Sequence, residues 1–205
     1  MSGYAPVTPE IAAQLEAICG KNYVIYRDEE RLEPYSRDEI PGHHYRRMPE
    51  IVVRPQTTAE VSAIMKLANV ERIPVTPRGA GSGLSGGAVP VFGGIVVATD
   101  RMNQILELDK QNMMIVVEPG VIANDINEYL RPHELFYAGY PMSMETCYIG
   151  GNVAENAGGG KAIKYGVTSR YVLGLEVVLP SGEVMELGGK LLKDVTGYNL
   201  LPLMT

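Results

Sequence analysis

Seven glycines lie between Gly79 and Gly94, inside the run Pro77-Arg78-Gly79-Ala80-Gly81-Ser82-Gly83-Leu84-Ser85-Gly86-Gly87-Ala88-Val89-Pro90-Val91-Phe92-Gly93-Gly94. No regular element survives that density: a glycine in a helix interior costs about 1 kcal/mol relative to alanine, and Pro90 removes a backbone donor. The stretch must be irregular. Its freedom to take positive φ lets consecutive N–H groups converge on one concavity, a nest able to hold phosphate oxygens without a lysine. Arg78 is the only charge in it. Lys plus Arg number 18 against 24 Asp plus Glu, a formal charge of -6, which argues against a surface built to neutralise nucleic acid. Any bound anion therefore depends on a local device. A glycine-rich turn crossing between subdomains would account for some of these glycines but hardly for seven, so phosphate binding ranks ahead of it.

Gly81-Ser82-Gly83-Leu84-Ser85-Gly86 matches the dinucleotide pattern G-x-G-x-x-G, and Asp100 stands nineteen residues beyond Gly81, near where a ribose-binding acid belongs. The match is a decoy, because that pattern must open a helix and the residues after Gly86 include a proline and further glycines. A Walker loop fails as well, since Gly-Lys-Ser/Thr does not occur. Cys19 and Cys147 form neither a disulfide framework nor a metal-ligand spacing, so a reducing compartment and no metal are expected. The N-terminus has no basic segment followed by an apolar one, and nowhere do eighteen apolar residues run together, so no transmembrane segment is expected.

A length of 205 residues with 45% apolar and 20% charged residues allows one large or two small domains with a real core. Thr8-Pro9-Glu10 reads as an N-cap, a first-turn proline and a first-turn acid, with Ile11, Leu15 and Ile18 at helical spacing and Gly20 as the stop. From Tyr26 to Pro49 charge is dense and period absent, which reads as an extended arm. Ile51-Val52-Val53 is a β-branched strand, and Thr57-Thr58-Ala59-Glu60 is a capping box ahead of the helical face Val61, Ile64, Met65 and Ala68. With Ile73–Pro77 extended, residues 51–77 form a strand–helix–strand unit, most simply a parallel crossover. Ile95–Ala98, Gln104–Leu108 and Met113–Glu118 read as short strands. Ile122, Ile126, Tyr129 and Leu130 read as a helix, and Val172–Leu179 with Glu183–Leu187 as a hairpin. The boundaries expected are an N-terminal helix and arm over 1–50 and one domain over 51–205, subdivided near residue 100.

A second cluster runs Tyr148-Ile149-Gly150-Gly151-Asn152-Val153-Ala154-Glu155-Asn156-Ala157-Gly158-Gly159-Gly160. Small side chains let a flat ring lie on backbone, and Asn152 and Asn156 offer amides at i, i+4 if the stretch is helical. Close helix packing is the alternative. Glu118, Asp125 and Glu155 read as solvated or capping acids.

Taken in order, Pro77–Gly87, Val117-Glu118-Pro119-Gly120-Val121, Ile149–Gly159, Lys164-Tyr165-Gly166 and Val172–Leu179 resemble the FAD-binding domain of the vanillyl-alcohol-oxidase-type flavoproteins. Within that family the likeness is to the FAD subunit of glycolate oxidase and FAD-linked D-lactate dehydrogenases, and it runs from about Ile51 to the end. The resemblance implies an α+β fold of the FAD-linked oxidase (PCMH) type, two α/β subdomains with FAD extended between them. It implies that Pro77, Arg78, Gly79, Ala80, Gly81, Ser82, Gly83, Leu84 and Ser85 wrap the pyrophosphate, with Pro119 and Gly120 lining the same trough. It further implies that Pro141, Met142, Ser143, Thr146, Ile149, Gly150, Gly151 and Asn152 flank the flavin and that Asn156, Gly158, Tyr165 and Gly166 complete the wall. Tyr140-Pro141-Met142-Ser143 departs from the Pro-Asp-Pro of relatives. FAD is expected to be non-covalent, since flavin-attaching relatives use a histidine in a different setting from His43-His44, which read as arm residues.

The family implies oxidation of a D-2-hydroxy acid, glycolate or D-lactate, by hydride transfer to flavin. Electrons would pass to an iron–sulfur subunit, an electron-transfer flavoprotein or a quinone. Its substrate pocket and metal site belong to a cap domain beyond Thr205, so this chain is expected to be an N-terminal part with little turnover of its own. The expected location is cytoplasmic, or peripheral to a membrane through a partner. Two further readings keep other outcomes open: the same fold acting on another substrate, or a flavin-binding module without catalysis.

Overall fold

The structure is a computed structural model in which residues 3–42 and 45–205 are described; the expectation for His43-His44 lies outside them. The chain divides into two compact units. The first holds the residues up to Arg101 together with Val178–Val184, and the second Met102–Val177 with Met185–Thr205.

The first unit opens with α1, Pro9–Cys19, capped as its sequence dictates: Thr8 Oγ1 accepts from the Ile11 N–H, and Gly20 at φ 87° ends the helix with its N–H on Glu16 O. β1 (Val24–Tyr26) follows, then a short helix α2 (Glu29–Leu32) and a 3₁₀ turn over Glu33–Tyr35. These turns stand where the aperiodic charge pointed to an extended arm. Leu32 and Ser36 are buried, and the Arg47 N–H donates to Ser36 O, so local capping by Asp28 and a few inward side chains suffice to fold a charged stretch. β2 (Ile51–Val53) leads to α3 (Thr58–Glu71), then β3 (Val75–Arg78) and β4 (Ile95–Ala98). At the start of α3, Thr57 Oγ1 accepts from the Glu60 N–H while Glu60 Oε2 accepts from Gln56 N–H, one residue earlier than the usual capping box.

The sheet order is β1-β2-β4-β3, with β1 antiparallel to β2 and the other pairs parallel. β2, α3 and β3 thus form a parallel crossover as expected, but β4 enters between the two strands. Its four residues are all buried, as are the three of β2, and a continuous apolar run is what a central parallel strand needs. Ile51, Val53, Ile95 and Val97 pack under α1 and α3 against Ile11, Leu15, Ile64 and Ala68; Val52, Val96 and Ala98 face Ile25 and Leu32 on the other side.

The second unit contains the antiparallel hairpin of β5 (Ile105–Asp109) and β6 (Met114–Val117), the helix α4 (Ala123–Leu130), the short helices α5 (Ile149–Ala154) and α6 (Ala162–Tyr165), and a terminal turn α7 (Leu201–Met204). Ile126 and Leu130 of α4 are buried with Val121 and Ile149 against Ile105, Leu108, Ile115 and Val117. β7 (Gly174–Val178) and β8 (Val184–Gly188) form the last hairpin. Its tip belongs to the first unit, where buried Ser62 Oγ donates to Gly182 O at 2.5 Å. Ser62→Ala should lower stability by about 1–2 kcal/mol, because the Gly182 carbonyl loses a buried donor; a denaturation midpoint equal to wild type would show the bond to be dispensable. Among the described residues no helix is long and apolar enough to cross a membrane.

Candidate functional site

β3 ends at Arg78, and the chain then leaves the sheet and returns only at β4. Between them residues 79–90 form bends and turns with no helix, which removes the dinucleotide-fold reading. Asp100 is engaged too: Arg54 grips its carboxylate, with Nε at 3.1 and 2.9 Å from the two oxygens. Gly81 and Gly86 take φ of 75° and 81°, the conformation only glycine adopts freely. Among the described residues no main-chain N–H of residues 80–88 donates to a protein acceptor. The loop is half-buried or exposed, so these amides could serve a ligand. That is the property a main-chain anion cradle requires.

Arg78 behaves differently from its neighbours. Its side chain is buried at 9% exposure, and the guanidinium donates to Arg37 O at 2.7 Å and Pro34 O at 3.0 Å while lying 5.5 Å over the Tyr35 ring. Burial pulls its pKa down from the ordinary guanidinium value, against the opposing influence of Tyr35, Asp38 and Glu39. Glu39 N–H donates to Gly83 O at 3.0 Å. Residues 34–39 therefore brace the loop from within the same unit. The sequence reading passed over them, because two of the acceptors are backbone carbonyls, which carry no sequence signature. The dense charge at Arg37-Asp38-Glu39 beside a buried arginine was the available hint.

In the second unit the second glycine cluster separates into two kinds of position. A Cβ on Gly150 would meet Pro119 Cβ at 2.7 Å, and one on Gly159 would run into the Tyr140 carbonyl, so close packing explains these two. Gly151 and Gly160 have nothing within 4 Å of such a Cβ. Packing does not require them to be small. Gly150 N–H donates to Pro119 O at 2.8 Å and the buried Gly120 donates to Met102 O at 2.7 Å, so Pro119 and Gly120 sit directly against the start of α5.

Asn152 lies in α5 at 4% exposure, and its Nδ2 has no hydrogen-bond partner. A buried amide donor without an acceptor costs about 1–3 kcal/mol, which makes Asn152 Nδ2 a candidate donor to a ligand. Asn156 does not share its helical face: it follows α5 at φ 48°, and its Oδ1 accepts from Ser169 N–H at 2.9 Å. Its role is to cap the 3₁₀ turn Thr168–Arg170, because the helix ends before the i+4 position. Gly158 packs near Val167; Gly166, at φ 86°, ends α6; Tyr165 O accepts from the Tyr171 hydroxyl at 2.6 Å. Pro141 is buried, Met142 is 92% exposed, and Ser143 O accepts from the N–H groups of Thr146 and Cys147 and from the Thr146 hydroxyl. Glu118 accepts from Gln104 N–H at 2.8 Å, a capping use as expected.

The first unit thus offers a positive-φ glycine loop and the second an unpaired buried amide beside unhindered glycines, each of which could contact a ligand. The comparisons with known proteins identify the family. The model of the FAD binding domain family matches residues 49–188. The chain is 43% identical over 194 residues to the glycolate oxidase subunit GlcD of Bacillus subtilis (strain 168), covering 95% of this chain and 41% of that protein. It is 41% identical over 201 residues to a D-lactate dehydrogenase of Anaerostipes hadrus, covering 98% of this chain and 42% of that one. In structure it matches the 4-ethylphenol oxidase of Gulosibacter chungangensis with a TM-score of 0.78 and 25% identity, over 99% of this chain and 41% of the other. The chain thus spans about two fifths of the length of the relatives it matches.

Proposed function

Because this chain belongs to the FAD binding domain family, we propose that it is the FAD-holding part of a dehydrogenase oxidising a D-2-hydroxy acid, glycolate or D-lactate. Electrons would pass on to a protein or quinone acceptor. The observation that carries the reading is the positive-φ glycine loop whose amides over residues 80–88 donate to no acceptor among the described residues, in a chain of net charge -6. An acidic protein that holds a diphosphate does so best through main-chain dipoles. The glycolate oxidase subunit and D-lactate dehydrogenase relatives support the substrate class.

In the first unit the amides of Gly79 to Ser85 hold the diphosphate, and Pro77 and Arg78 shape the loop that presents them. In the second, Asn152 Nδ2 donates to an acceptor on the flavin end, and Gly151 leaves the open face a flat ring needs. Pro119, Gly120, Ile149 and Gly150 fix that helix start. Pro141, Ser143 and Thr146 form the adjoining turn, Met142 is an exposed contact, and Asn156, Gly158, Tyr165 and Gly166 hold the wall behind. Bound FAD supplies a hydride acceptor, which none of the twenty side chains provides. The binding is non-covalent.

A second reading follows from the two-fifths span of the relatives: the isolated chain binds flavin without turning substrate over. The test is the visible absorbance of the purified 205-residue chain before and after acid precipitation, with dye reduction by D-lactate or glycolate as a separate arm. The expected result is a flavin spectrum that leaves with the supernatant and a rate near background. Chromophore retained on the pellet would overturn non-covalent binding. Failure to take up FAD on titration would overturn the flavin reading.

A further inference from the structure

We propose that Arg78 is a positioning residue for the diphosphate and not its ligand: its guanidinium ties the glycine loop to residues 34–37, so that the loop amides keep one shape before the cofactor arrives. The proposal rests on the FAD reading of that loop and adds a role for the N-terminal segment.

Three observations in the first unit converge on it. The guanidinium is the one cation of the 77–94 run, the group that electrostatics alone would assign to a phosphate. Yet it is turned away from that duty: two of its N–H groups end on Arg37 O and Pro34 O, and its face covers Tyr35. The planar fork suits two carbonyls about a turn apart, and an ammonium cannot reproduce that geometry. Second, the loop leans on the same guanidinium. A side chain at Gly81 would run into its Nη2 and Cζ, so the arginine sets the space in which the positive-φ turn sits. Third, the brace is closed from the other side by Glu39 N–H on Gly83 O at 3.0 Å, with Asp38 and Glu39 providing the countercharge. Asp38 is 8% exposed; its Oδ1 accepts from Ile40 N–H, which holds the turn that presents Glu39. Loop and segment thus order one another. Pre-organisation of this kind raises affinity by removing the ordering entropy from the binding step.

Two consequences separate positioning from direct ligation. A phosphate-binding cation is rescued in part by lysine, and its loss flattens the salt dependence of binding. A strut is not rescued, and its loss leaves the salt dependence unchanged. The segment also carries Arg31, Arg37, Arg46 and Arg47, which makes its ordering readable with trypsin.

The experiment titrates FAD by flavin fluorescence at low and high salt and follows limited tryptic cleavage between residues 31 and 47, with and without FAD. It uses the 205-residue chain as wild type, Arg78→Lys, Arg78→Gln and Glu39→Pro. Arg78→Lys and Arg78→Gln should each weaken FAD about 100-fold, the loss of two charge-assisted bonds, and Arg78→Gln, which removes the charge, should keep the wild-type salt dependence; a flattened one overturns the strut. Arg78→Lys should also speed cleavage of the segment at least about 10-fold, and saturating FAD should restore the protected pattern, a rescue that simple misfolding would not show. Glu39→Pro leaves the cation in place, removes the donor to Gly83 together with one of the two countercharges, and should weaken FAD about 5- to 10-fold. Arg78→Lys binding within about 3-fold of wild type, or Glu39→Pro binding as wild type does, overturns the strut while leaving the flavin reading intact. A wild type that takes up no FAD overturns the flavin reading and the strut with it.

Discussion

Gly81→Val should lower FAD affinity by at least about 100-fold while leaving the sheet of β1 to β4 folded. Gly81 sits at φ 75°, where a β-branched residue is strained by about 1–3 kcal/mol. The new side chain is also directed into the Arg78 guanidinium. That guanidinium cannot swing aside cheaply, since it is anchored on two carbonyls. The loop must then flip to negative φ, and the amides that would face the diphosphate turn elsewhere. The core beneath is untouched, because β3 and β4 are held by their own ladder and by Ile95 and Val97 against α1 and α3. Far-ultraviolet circular dichroism should therefore match wild type while flavin titration fails. Gly83→Val tests bulk without that strain, because Gly83 does not have a positive φ; it should also weaken FAD if the ligand lies against the loop. Full FAD binding by both variants would remove the loop from the cofactor site.

Asn152→Leu should move stability and binding in opposite directions. Removal of an unsatisfied buried amide relieves a desolvation penalty, so the cofactor-free chain should gain about 1 kcal/mol in denaturant unfolding. The same change deletes the donor proposed for the flavin end and should weaken FAD about 10- to 100-fold. An ordinary core position shows the opposite pattern, with lost stability and unchanged binding. A variant less stable by about 2 kcal/mol that still binds FAD normally would mean that Nδ2 serves the fold of the second unit and not a ligand.

Local features were legible where the physics is local. Thr8 and Thr57 sit at helix N-caps because their hydroxyls satisfy donors three residues ahead, a relation written within one turn of sequence. The irregularity of residues 79–90 followed from glycine and proline alone, and it was enough to reject the dinucleotide pattern. The paired use of Asn152 and Asn156 failed for a reason of the same scale. It assumed one more helical turn than α5 has, and Asn156 instead holds Ser169 from a left-handed conformation. Of the second glycine cluster, close packing accounts for Gly150 and Gly159 and not for Gly151 and Gly160, which only the space around each Cα position could reveal.

By itself the sequence determined the buried strands, the capped helices, the acidic balance and the family. These depend on side-chain chemistry and short spacings. The tertiary structure alone decided that β4 lies between β2 and β3, that Arg78 braces residues 34–37, and that one buried amide of α5 lacks an acceptor. Strand order and the burial of Asn152 depend on packing between segments far apart in the chain. The partners of Arg78 are carbonyl oxygens 41 and 44 residues away. Every residue carries such an oxygen, so no choice of amino acid announces which ones a buried guanidinium will find.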